Sequence, residues 1–99
     1  YLFTSLSKAY PSIELGAHLH SQPARAIEKI EAAVRAGCKR FDGALKGFGG
    51  CPMAEDQLVG NLATETILSY LDSQGLAPVL NKAAFAEAEI LAGSVFAAR

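Results

Sequence analysis

The sequence predicts an α/β fold in which two short parallel strands are joined by a helix. Three stretches carry that expectation. In IELGAHLH (13–20), Leu15, Ala17 and Leu19 alternate with Glu14, Gly16, His18 and His20, the period-two pattern of a strand. In ARAIEKIEAAVRAG (24–37), Ile27, Ile30, Ala33 and Val34 recur at helical spacing. Cys38 to Leu45 is a second short strand candidate. A strand–helix–strand unit of this size makes a right-handed crossover between parallel strands.

The remaining elements fall around this unit. Residues 1–9 read as the end of a helix, and Pro11 and Ser12 break the chain before the first strand. Pro23 suits a first helical turn, and Gly37 suits the left-handed position that ends helices. A long Gly-rich loop follows the second strand to about Gly60. LATETILSYLDSQG (62–75) is amphipathic, with Leu62, Ile67, Leu68 and Leu71 as its stripe and Gly75 as its stop. Asn81 is a good N-cap for KAAFAEAEILAGSVFAA, whose Phe85, Ala88, Ile90, Leu91 and Val95 are expected to face a core. Glu87 and Glu89 read as solvated surface.

Two strands do not make a stable sheet, and a complete (β/α)8 barrel takes about 250 residues. The 99 residues therefore read as a segment of a barrel or open sheet, an expectation supported by the lack of an initiator Met. Composition narrows the function classes. With 51% hydrophobic and 19% charged residues the chain is expected to fold, and nine Lys and Arg against ten Asp and Glu give no basic stripe for nucleic acid. No apolar run reaches the length of a membrane span, and the N-terminus lacks a secretory signal. Two cysteines, Cys38 and Cys51, read as reduced thiols in a cytosol-like compartment.

Four features can carry chemistry. Residues two apart on a strand share a face, so His18 and His20 are expected to project side by side at the strand's C-terminal end, where parallel barrels keep their sites. Such a pair suits a divalent cation; the alternative is two polar residues on a solvated edge. Asp42 in the second strand is either structurally paired or part of a site. In GFGGCP, Gly47, Gly49 and Gly50 make the backbone permissive and Pro52 fixes the exit from Cys51, which is either an exposed, positioned thiol or a small core filler. In GNLATE, Asn61 is either the N-cap of the next helix or an oxygen ligand for a hard cation such as magnesium, while Glu65 suits the first helical turn.

Together HLH, FDGALKGFGGCP and GNLATE resemble the C-terminal part of the 3-hydroxy-3-methylglutaryl-CoA lyase family, which sits among the metal-dependent barrel lyases with isopropylmalate and citramalate synthases. The resemblance runs from about Ile13 to Tyr70 and more loosely through the last helix. It implies that residues 1–99 are the C-terminal segment of a TIM (β/α)8 barrel of the pyruvate-carboxyltransferase and lyase type. It further implies that His18, His20 and Asn61 bind magnesium or manganese, that Cys51 is a mobile-loop thiol acting in proton transfer, and that Glu65 supports the site. Asp42 matches an aspartate at the same distance before the loop cysteine. The implied substrate is an acyl-CoA, the implied partner the remaining barrel strands, and the implied location cytoplasmic. The family's first barrel strand, with an aspartate ligand and an arginine, has no counterpart here. Ser21-Gln22-Pro23, Met53 and a loop one residue longer also depart from the pattern.

Three further readings stand beside this one. A related aldol-type lyase would act on another 3-hydroxyacyl-CoA. An inactive half-barrel would serve binding or assembly, with self-association into a homo-oligomer covering its open strand edges. A structural zinc site would join His18, His20, Cys38 and Cys51, although Cys38 is expected at the far end of its strand.

Overall fold

A computed structural model describes residues 1–49 and 60–96, without the side chain of Phe96. Helix α1 (Leu2–Ala9) leads through a turn at Tyr10–Ile13 to strand β1 (Ala17–His18), immediately followed by β2 (His20–Ser21). A 3-10 turn at Pro23–Arg25 opens helix α2 (Ala26–Arg35), with Pro23 in the first-turn position its fixed φ favours. Gly37, at φ +97°, ends that helix as expected and returns the chain to β3 (Phe41–Asp42). A second 3-10 turn (Leu45–Gly47) precedes β4 (Gly60–Asn61), helix α3 (Thr64–Ser73) and helix α4 (Lys82–Phe96). Among the described residues no helix is long and apolar enough to cross a membrane.

The α/β expectation holds: β1 and β3 pair in parallel across α2, with Ala17 opposite Phe41 and His18 opposite Asp42. Ala17 N–H also donates to the Arg40 carbonyl at 2.8 Å. The single strand expected over 13–20 is instead two strands of two residues. β2 leaves the first sheet and pairs antiparallel with β4, His20 opposite Asn61 and Ser21 opposite Gly60. The switch falls at Leu19, whose apolar side chain packs against the core. Among the described residues each sheet has two strands of two residues, and the pairing of β1 with β3 does not extend back over residues 13–16.

The core is small and lies between α2 and α3. Ile30, Leu62, Ala26 and Ile67 are buried, with Leu19, Val34, Phe41, Tyr70 and Leu71 packed around them. Ile27 is a correction to the expected stripe: at 44% exposed it points past the core, since Ala26 and Ile30 already fill the face that meets α3. Helix α3 starts at Thr64, so Leu62 is a core residue of the preceding loop. Asn81 does cap α4, its Oδ1 accepting from Ala84 N–H at 3.0 Å. Of α4's expected core residues, Phe85 and Ala88 are half-buried, but Ile90, Leu91 and Val95 are exposed. The helix is apolar on most sides and meets the rest of the chain mainly at the Leu45–Gly47 turn, so Ala92 is buried instead.

Candidate active site

The strand ends bring together His18, His20, Asp42 and Asn61. Leu19 turns inward to the core, and the residues on either side of it project the other way. The imidazoles of His18 and His20 accordingly meet edge to face with centroids 5.2 Å apart. The parallel register sets Asp42 beside His18, its Oδ2 4.0 Å from Nδ1, within electrostatic reach but beyond a hydrogen bond. Both of these side chains are more than half exposed. The antiparallel register sets Asn61 opposite His20. Lys29 of α2 donates to the His20 carbonyl at 2.6 Å, fixing β2 against the helix.

Asn61 does not cap α3. Ala63 occupies that position, and Asn61 Nδ2 donates instead to the Phe48 carbonyl at 2.9 Å. The approach is close: a Cβ on Gly49, at φ +85°, would lie 2.9 Å from Asn61 Nδ2. A Cβ on Gly60 would meet the carbonyls of Gly49 and Gly47 at 3.0 and 3.1 Å. Glycine is thus favoured where residues 47–49 and β4 run side by side, by conformation at Gly49 and by close approach at Gly60.

Glu65, expected in a supporting role, accepts the Lys46 backbone N–H with Oε1 at 3.1 Å and Oε2 at 2.8 Å. Cys51, with the rest of the loop from Gly50 to Val59, lies outside the described residues. Cys38 is a buried free thiol whose Sγ donates to the Arg40 carbonyl at 3.0 Å, away from the histidines, so it does not join them in a zinc site. Neither the Phe48 carbonyl nor the Lys46 amide was expected from sequence, since backbone groups carry no signature in residue type.

Among the described residues no three or more His, Cys, Asp and Glu are grouped to hold a metal ion. The donor set that does converge mixes imidazole with amide oxygen. His20 Nδ1 and Asn61 Oδ1 are buried polar atoms with no hydrogen-bond partner. Buried acceptors and donors are ordinarily satisfied, and each orphan costs about 1–3 kcal/mol. Two orphans on residues paired across one ladder fit a cation that takes nitrogen and oxygen ligands.

No family model matches the chain, and no solved structure matches it. Curated relatives do. The chain is 35% identical to a hydroxymethylglutaryl-CoA lyase of Pseudomonas mevalonii over 74 residues, which is 75% of this chain and 24% of that one. It is 35% identical to an (R)-citramalyl-CoA lyase of Chloroflexus aurantiacus over 66 residues, 67% of this chain and 20% of that one. It is 33% identical to a 4-hydroxy-2-oxovalerate aldolase of a Roseiflexus species over 81 residues, 82% and 22% respectively. The chain spans about a quarter of the length of the curated relatives it matches. These relatives define the class, one of lyases and aldolases. Over three quarters of its length the chain belongs to the family of hydroxymethylglutaryl-CoA lyases and their lyase and aldolase relatives.

Proposed function

We propose that this chain is the C-terminal part of a (β/α)8-barrel lyase that cleaves 3-hydroxy-3-methylglutaryl-CoA to acetoacetate and acetyl-CoA with the help of magnesium or manganese. The observation that carries the reading is the pair of buried, unpartnered atoms on His20 and Asn61, set beside His18. His18, His20 and Asn61 would hold the cation, with further ligands from barrel strands outside this chain. When bound, the cation supplies Lewis-acid stabilisation to oxygens that gain negative charge during carbon–carbon cleavage.

The chain's own groups divide the remaining work. Asp42 sets a carboxylate beside the imidazole of His18 from the neighbouring strand, as an electrostatic neighbour 4.0 Å away. Leu19 and Lys29 fix β2, so that His20 arrives in place before substrate does. The reaction removes the proton of the C3 hydroxyl and breaks the C2–C3 bond. The bonding pair passes to the thioester enolate, which takes a proton at C2. We assign to Cys51 Sγ the movement of that proton.

Support for the rest of the barrel comes from surface. On helix α4, Ile90, Leu91 and Val95 are 73, 58 and 69% exposed. Remaining barrel elements or a second copy would cover such a face. The buried free thiol of Cys38 agrees with a reducing, cytoplasmic location.

Turnover of 3-hydroxy-3-methylglutaryl-CoA by the protein carrying this chain, with and without magnesium or manganese, tests the reading. Metal-dependent cleavage that falls more than about tenfold in His18→Ala, ~1.4 kcal/mol of barrier, is the expected result. No cleavage by folded, metal-loaded protein overturns it. A related substrate is the second reading, favoured by the citramalyl-CoA lyase and by a Pseudomonas aeruginosa relative named for both 3-hydroxy-3-isohexenylglutaryl-CoA and hydroxymethylglutaryl-CoA. Comparing kcat/KM across those three thioesters separates the two.

A further inference from the structure

Lys46 is the one non-glycine residue with a positive φ among the described residues, at +58°. A Cβ disfavours that region, and a residue persists there when its surroundings over-determine it. Here both carboxylate oxygens of Glu65 accept its backbone N–H. Gly47 follows at φ +71°, and the two left-handed residues turn the chain so that Phe48 presents its carbonyl to Asn61. A carbonyl oxygen can accept only from the NH2 end of an amide. Asn61 Oδ1 is therefore turned the other way, where it is buried without a partner.

We infer that Glu65 is a positioning residue for Asn61. By holding Lys46 in the left-handed conformation it sets the Phe48 carbonyl, and that carbonyl fixes the rotation of the Asn61 amide with its oxygen aimed at the cation. The inference rests on the reading of Asn61 as a cation ligand. It gives Glu65 work at a distance and no proton to carry. It also makes Lys46 the point at which the device can be bypassed, because glycine adopts the same φ with no clamp.

The test uses the full-length protein carrying this chain in four forms: wild type, Glu65→Ala, Lys46→Gly and the double variant. Two quantities are measured on each, the affinity for Mn²⁺ by electron paramagnetic resonance and the positions of the Asn61 side-chain NH2 signals in a ¹H–¹⁵N spectrum. Glu65→Ala is expected to weaken Mn²⁺ binding by about tenfold or more, the usual effect of removing a group that orients a ligand. The same variant should move the Asn61 signals toward those of a free amide. Adding Lys46→Gly should return the Asn61 signals to their wild-type positions and most of the lost affinity with them.

A Glu65 that merely stabilised the helix start would lower the melting temperature and leave the Asn61 signals in place. Unmoved Asn61 signals in Glu65→Ala overturn the inference, and so does a double variant no better than the single one. Wild type that fails to bind Mn²⁺ overturns the metal reading instead. In that case the Asn61 signals still decide whether Glu65 positions the amide.

Discussion

The strand-end half of the chain and helix α4 are both rich in apolar residues, yet they use them in opposite ways. Among the described residues from β1 through α3, Ala26, Ile30, Leu62 and Ile67 are buried between α2 and α3, with Ile30 and Leu62 0 and 1% exposed. Along α4, Ala92 is buried while Ile90, Leu91 and Val95 stand in solvent. Composition does not separate the two regions; arrangement does. Helix α2 confines its apolar residues largely to one face, whereas α4 spreads them around its circumference, and one chain can cover only part of that surface. The first region holds the candidate site in register, and the second leaves apolar surface uncovered within the described residues.

The comparison can be broken by mutation, and the largest effect should come from its centre. Ile30→Ala is expected to cost about 2–5 kcal/mol in urea unfolding, because a fully buried branched side chain leaves a cavity between α2 and α3. Next comes Gly60→Ala. Its Cβ would sit 3.0 and 3.1 Å from two backbone carbonyls that cannot rotate away, so a loss of about 1–3 kcal/mol should accompany a displaced Asn61. Asn81→Ala removes the bond to Ala84 N–H and should cost about 1 kcal/mol, read as fraying of α4 by circular dichroism. The smallest change is expected at Ile90→Ala, within about 0.5 kcal/mol for the 99-residue chain. A loss at Ile90 comparable to that at Ile30 would mean α4 is covered in solution, and the contrast between the regions would fail.

That ranking follows what the sequence allowed to be read. Alternation around Leu19 marked His18 and His20 as neighbours, and the rings do meet. Gly37, Gly75 and Asn81 marked helix ends through their own backbone and side-chain chemistry, and all three act there. Ile90, Leu91 and Val95 were misjudged because an apolar residue on an apolar helix carries no direction. The break of the first strand at Leu19 was equally hidden. It depends on β4, which enters the pairing 40 residues after His20, and local alternation is the same whether the chain stays in one sheet or passes to another. Asn61 showed a third kind of limit: its residue type suits a cap and a ligand alike, and the tertiary bond to Phe48 removes it from the cap.

Asn61 is followed directly by Leu62, whose side chain is 1% exposed between α2 and α3. One peptide bond thus joins a candidate-site residue to a side chain buried in the core. Displacing the Asn61 backbone, as distinct from turning its side chain, means withdrawing Leu62 and opening the core. Fluctuation at this corner should then come as rare cooperative openings, with the Leu62 amide exchanging hydrogen at a rate set by global unfolding. The site would be as rigid as the protein is stable, so substitutions in the core that touch no ligand should loosen it in proportion to the stability they remove.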